Sequence, residues 1–256
     1  MELLNKKIYR SQHLQPSWLV RKIPGCYFYP QLIAIIWRSA SLAKRGDYTS
    51  EQWSQTSLQI LRLFESLGTK VIIENAAAFQ NLDSPCVFIA NHISTLETFV
   101  LPAIVQPYRD MTFIVKKSLL ELPVFKHIMR SIDPIVVGRK NPKEDFKAVL
   151  ENGLERLNRN ISIVVFPQTT RTTNIDPNSF NSIGVKLAKR TGVPVIPIAL
   201  KTDAWALGSI LKDFGKIHPE NDIYFCFGDP VTISGNGKKA HQAVVKFISE
   251  KLKTWF

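Results

Sequence analysis

Disulfide and zinc frameworks have almost no raw material in this sequence. Its three cysteines, Cys26, Cys86 and Cys226, lie far apart with no C-x-x-C pair, which fits neither a disulfide scaffold nor a zinc site and points to a reducing compartment. His13, His127, His218 and His241 show no ligand-like spacing with one another, so no metal is expected. Long apolar runs are also missing: the most apolar stretch, Tyr27 to Trp37, has 11 residues, against about 20 for a bilayer-crossing helix. The start, MELLNKKIYRSQHLQPSW, has neither the basic opening nor the apolar core of a signal peptide, so export is not expected. Internal repeats, low-complexity tracts and long linkers are absent. So is a G-x-S-x-G elbow, without which a serine hydrolase has no identifiable nucleophile.

Acidic residues are in deficit, 21 against 33 lysines and arginines, for a net charge of +12. Such a surplus draws a protein toward polyanions, either nucleic acid or anionic lipid. A nucleic-acid module would concentrate its cations along one helix or between exposed aromatics. Here they are spread along the whole chain, so no nucleic-acid partner is expected.

What is present is an ordinary globular composition, 45% hydrophobic and 21% charged over 256 residues, enough for one large domain or a domain with an appendage. Residues 1–69 differ from the rest and are expected to form an N-terminal amphipathic helical segment. Trp53, Ile60, Leu61, Phe64 and Leu67 recur at helical spacing between about Thr49 and Leu67, with Gly68 as a stop. Tyr27, Phe28, Tyr29, Trp37 and Trp53, with Lys6, Lys7, Arg10, Arg21 and Lys22 nearby, have the aromatic-plus-basic makeup of a membrane-interface segment. A helical hairpin packed on the core would look the same.

From residue 70 to 256, short apolar runs alternate with helical patterns. Strands are predicted at Val71–Ile73, Cys86–Ala90, Thr112–Val115, Ile135–Val137, Ile161–Phe166, Pro194–Leu200 and Ile223–Phe227, and helices near 96–105, 143–158, 179–190 and 239–253. This is an α/β domain, with a mostly parallel mixed sheet covered by helices on both faces. Its site belongs at the carboxyl ends of the strands.

One segment there stands out. In Phe88-Ile89-Ala90-Asn91-His92-Ile93-Ser94-Thr95-Leu96-Glu97, an apolar strand runs into Asn-His, and a carboxylate follows five positions after the histidine. His92 could act as a general base with Glu97 holding its far nitrogen. Ser94-Thr95-Leu96-Glu97 is also a capping box, in which Glu97 reaches back to a backbone N–H and does no chemistry. Taken alone, the segment reads first as a cap.

Three further segments follow in order. Lys116-Lys117-Ser118-Leu119-Leu120-Glu121-Leu122-Pro123 leads to Gly138-Arg139. Phe166-Pro167-Gln168-Thr169-Thr170-Arg171 ends a strand, and Gly192-Val193-Pro194-Val195-Ile196-Pro197-Ile198 is a strand bracketed by prolines. Together with the histidine segment they resemble the glycerophospholipid acyltransferase family of the bacterial lysophosphatidic-acid acyltransferase type. The likeness runs from about Pro85 to Leu200. The family's N-H-x-x-x-x-D carries Glu97 here in place of the aspartate, and its F-P-E-G-T-R is Phe-Pro-Gln168-Thr169-Thr170-Arg171.

The resemblance implies a glycerol-3-phosphate acyltransferase-like fold. It also implies acyl transfer from acyl-CoA or an acyl-carrier protein, as co-substrate with no cofactor, to the hydroxyl of a lysophospholipid. His92 and Glu97 would be catalytic, and Lys116, Arg139, Gln168, Thr169, Thr170 and Arg171 would bind substrate. Backbone N–H groups after His92, or the amine of Lys116, would meet the oxyanion. Gln168 and Thr169 leave room for a different acceptor or for an inactive membrane-binding relative. Long-chain substrates imply a phospholipid surface as partner, with the protein peripheral or monotopic on the cytoplasmic face of the cell membrane.

Overall fold

Alternation decides which way each strand faces. In Val87–Ala90, Val87 and Ile89 point into one apolar cluster, Phe88 and Ala90 into another. Ile163 and Val165 repeat the division against Val164, and Val195 against Ile196 and Ile198, as a period of two requires of strands buried on both faces. The computed structural model describes residues 8–12, 14–168, 170–173, 176–177, 180–209 and 211–256.

Among the described residues the strands are β1 (Ile8–Arg10), β2 (Val71–Glu74), β3 (Val87–Ala90), β4 (Met111–Lys116), β5 (Ile135–Val137), β6 (Ser162–Val165), β7 (Val195–Lys201) and β8 (Ile223–Phe227). They form one sheet in the order β1-β2-β8-β7-β3-β6-β4-β5. The run β7-β3-β6-β4-β5 is parallel throughout, and β2 is parallel to β8. The β1-β2 and β7-β8 pairs are antiparallel, so the sheet is mixed. The helices are α1 (Trp18–Lys22), α2 (Pro24–Arg45), α3 (Ser50–Ser66), α4 (Ala77–Gln80), α5 (Leu96–Val105), α6 (Phe125–Ser131), α7 (Pro142–Asn158), α8 (Ile183–Thr191) and α9 (Lys238–Trp255). Residues of α2, α3 and α5 fill one face of the sheet, and those of α7, α8 and α9 the other. The helix predicted to begin at 179 begins at Ile183; residue 179 itself lies outside the described residues.

The N-terminal part shares this core. Trp53, Ile60, Leu61, Phe64 and Leu67 are all buried, as the spacing of α3 predicts, and Thr49 caps the helix by accepting the Gln52 N–H. Phe28 and Leu32 of α2 lie in the same cluster as Phe88 and Ile196. Residues on both sides of the expected boundary at 69/70 are thus in one packing unit, and β1 joins it by pairing with β2. The aromatic set divides. Phe28 and Trp53 are buried in the core, whereas Trp37 is 62% exposed, and Trp18 of α1 and Tyr27 are also exposed. Lys6 and Lys7 lie outside the described residues. No described helix is long and apolar enough to cross a membrane.

Because β7, β3 and β6 run the same way, their carboxyl ends open on one crevice, and β3 delivers His92 to it. Asn91, just after β3, is fully buried. Its Nδ2 donates to Leu200 O and its Oδ1 accepts the Leu200 N–H, both at 2.8 Å. It therefore rivets the exit of β3 to β7. Asn91→Ala leaves both backbone groups of Leu200 without these partners. It is expected to lower unfolding stability by about 2–3 kcal/mol, read as a lower urea midpoint at unchanged slope; an unchanged midpoint would remove the rivet.

Candidate active site

His92 and Glu97 meet: Nδ1 lies 2.8 Å from Oε1. The imidazole is stacked on Phe166 with ring centroids 4.3 Å apart, and 17% of its side chain remains accessible while Glu97 is wholly buried. A carboxylate only accepts, so Nδ1 carries the proton and Nε2 is left with its lone pair.

Glu97 also accepts from Ile93 N (2.7 Å), Ser94 N (3.0 Å to Oε1), Ser94 Oγ (3.1 Å) and Thr202 Oγ1 (2.6 Å). Ser94 Oγ in turn accepts the Leu96 N–H at 3.1 Å. The backward reach of Glu97 to the Ser94 N–H, which is the glutamate half of a capping box, and the histidine pair, mutually exclusive on sequence grounds, are therefore made by the same side chain. One carboxylate has two oxygens and room for several donors, so it holds the loop before α5 and the ring at once. Burial pushes the Glu97 carboxyl up, but the hydrogen bond and charge of His92, the Thr202 hydroxyl and backbone donors outweigh it and hold it below its ordinary value of 4.5. Glu97 stays ionised at neutral pH.

These contacts correct one expectation. The backbone N–H groups of Ile93 and Ser94 are occupied by Glu97, and that of His92 by Gln168 Oε1 at 2.6 Å. They are not available to an oxyanion. Gln168 is buried, its Oε1 is fixed by that bond, and its Nε2 is a buried donor with no partner among the described residues. Thr172 N donates to His92 O at 2.9 Å, so the strand end carrying the ring is held on both sides by the loop after β6.

Arg171 comes to the same place. Its Nη1 donates to Thr95 Oγ1 and, at 2.6 Å, to Asp213 Oδ1. Lys116 and Arg139 do not join this cluster. Lys116 ends β4 and Arg139 follows β5, two and three strands from β3 in the sheet, or about 10 and 15 Å at the usual strand spacing. Both are exposed, and Arg139 takes a left-handed backbone (φ 58°) whose N–H donates to Asp145 Oδ2. Thr170 is exposed, and Thr169 lies outside the described residues. Sequence reasoning missed Thr202, Asp213 and Thr95. Thr202 and Asp213 are more than 100 residues from His92 in the chain, and no local spacing could have linked them to it.

A family described as Acyltransferase matches residues 70–201. The chain is 28% identical over 212 residues to a 1-acyl-sn-glycerol-3-phosphate acyltransferase of Pseudomonas aeruginosa, covering 82% of this chain and 76% of that one. It is 29% identical over 131 residues to a chloroplastic protein of the same description from Brassica napus, covering 51% of this chain but 37% of the relative's length. The structure superposes on the crystal structure of the 1-acyl-sn-glycerophosphate acyltransferase of Thermotoga maritima with a TM-score of 0.68. That match covers 92% of this chain and 96% of the other at 19% identity, a likeness of fold.

Proposed function

Since the chain belongs to the acyltransferase family, we propose that it moves a fatty acyl group from an acyl thioester to the hydroxyl of a lysophospholipid, 1-acyl-sn-glycerol-3-phosphate first among them. The observation that carries this reading is the accessible imidazole whose Nδ1 is held 2.8 Å from a buried, ionised carboxylate. Nε2 takes the proton of the acceptor hydroxyl as its oxygen attacks the thioester carbonyl. Glu97 stabilises the imidazolium, and when the carbon–sulfur bond breaks the imidazolium returns its proton to the leaving thiolate. No covalent acyl-enzyme is needed. We assign Gln168 Nε2, a buried donor beside the His92 backbone with no partner among the described residues, to a substrate oxygen. Arg171 takes the acceptor phosphate, and Lys116 and Arg139 lie farther along the same sheet end, where the phosphates of CoA or a carrier protein could be met. The exposed aromatics of α1 and α2, Trp18, Tyr27 and Trp37, are the surface we assign to the lipid bilayer at the cytoplasmic face.

The deciding experiment incubates the purified protein with labelled acyl-CoA and a panel of lysolipids. Labelled phosphatidic acid formed from the phosphate-bearing acceptor is expected, and thioester consumption with no lysolipid at all would reject the reading. Arg171→Lys keeps the charge but loses the planar fork. It is expected to raise the KM for the acceptor about tenfold with the thioester KM nearly unchanged; the reverse pattern would move Arg171 to the donor.

A further inference from the structure

The connection between β7 and β8 begins with Thr202, which holds Glu97, and a second of its side chains reaches the site farther along. Residues 205–209 and 211–217 belong to a loop whose two ends close on each other. Trp205 and Ile217 form an antiparallel bridge, and Ala206 N donates to Lys216 O at 2.9 Å. The closure depends on Gly215, where a Cβ would come within 1.8 Å of Ala206 O. The loop is braced on α2, since the Tyr29 hydroxyl donates to Gly215 O and the Tyr29 and Phe214 rings lie 5.6 Å apart. From this base the loop presents Asp213 beside α5. Asp213 Oδ1 accepts from Thr95 Oγ1 at 2.9 Å and from Arg171 Nη1 at 2.6 Å.

The contact is one-sided. Asp213 and Thr95 both bind Nη1, and no hydrogen bond among the described residues reaches Nε or Nη2 of Arg171. A carboxylate standing in for substrate would fill a two-nitrogen edge of the guanidinium in the bidentate manner; this one holds a single corner, and the Nε–Nη2 edge has no hydrogen-bond partner among the described residues. We propose that Asp213 is the positioning residue of Arg171, fixing the guanidinium by its Nη1 corner so that the Nε–Nη2 edge receives the phosphate monoester of the acceptor. The inference rests on the acceptor reading of Arg171 above. It also gives the loop a function: it relays the placement of α2 to the anion site.

The test uses the full chain and the variants Asp213→Ala, Asp213→Asn and Gly215→Ala, assayed with a long-chain acyl-CoA and lysophosphatidic acid in mixed micelles. Asp213→Ala is expected to raise the acceptor KM about five- to twentyfold, with kcat and the thioester KM within about twofold. Asp213→Asn, which keeps an oxygen but not the charge, should fall between it and the wild type. Gly215→Ala, which forces the loop open, should reproduce the acceptor effect without touching Arg171. A lower acceptor KM in Asp213→Ala would make the carboxylate a competitor and overturn the proposal, as would an equal rise in both KM values.

Calorimetric titration with glycerol 3-phosphate reads the same arrangement without acyl transfer, and its Kd should weaken by a similar factor in Asp213→Ala. Weakened binding in a protein that acylates no lysolipid would sink the functional reading and leave the positioning role standing. Normal acylation with unmoved KM and Kd would sink the positioning role alone. Asp213 is half exposed, so its variants should unfold within a few degrees of the wild type.

Discussion

Replacing His92 by alanine is expected to lower kcat for acyl transfer by about 10²–10⁴, while the protein stays folded. The fold survives because the backbone of residue 92 is held independently of its ring: Gln168 Oε1 accepts its N–H and Thr172 N donates to its carbonyl. What disappears is the stack on Phe166 and one of the donors to Glu97, and the backbone and hydroxyl donors that remain keep that carboxylate solvated. The cost in stability should stay within about 2 kcal/mol. Single-turnover measurements at saturating thioester and acceptor would isolate the chemical step. Retention of more than a tenth of the wild-type rate would assign proton removal to another group.

Glu97→Gln is expected to reduce turnover by a comparable factor, on the order of 10²–10³, for a different reason. Glutamine is nearly isosteric. Its oxygen can keep the bonds from His92, Ile93 and Ser94, and its amide can donate to the hydroxyls of Thr202 and Ser94 if these rotate. The helix start is largely preserved while the negative charge that stabilises an imidazolium is lost. Near wild-type turnover would reduce Glu97 to a cap.

The same variant has a signature in acid. The folded-state carboxyl of Glu97 is held below its ordinary value of 4.5. A group of that kind contributes stability in full above the unfolded value and loses it as pH falls through the folded value. Below the histidine range, the difference in unfolding free energy between wild type and Glu97→Gln should therefore shrink as pH falls below 4.5. Denaturant titrations at pH 5 and 3.5 measure it. A gap that widened between these two values would mean that the group is protonated in the folded protein.

Much of the scaffold could be read from the chain itself. Short apolar runs placed β2 through β8 within a residue or so, and α3, α5, α7 and α9 followed from helical spacing, because in these segments the burial is written locally. β1 was missed because three residues of a polar terminus have no pattern of their own; the strand exists by pairing with Val71–Glu74 and through the Tyr9 hydroxyl, which donates to Glu65. The N-terminal aromatics could not be divided in advance, since Phe28 and Tyr27 are neighbours in sequence with opposite environments. Within the site, His92 and Glu97 were found because both lie in one ten-residue segment, and Arg171 because its motif ends a strand. Thr202 and Asp213 reach the same crevice from β7 and the loop beyond it, and only the folded sheet brings them there. The opposition between cap and acid–base pair was a false choice, arising from giving one carboxylate a single task.

That double duty of Glu97 has a consequence for how the protein fails on warming. Fraying of the turn that precedes α5 withdraws the acid from the ring at the same instant, so no partly melted form keeps a working histidine. Catalytic output and the integrity of this one turn should then vanish along a single curve, ahead of the sheet beneath them.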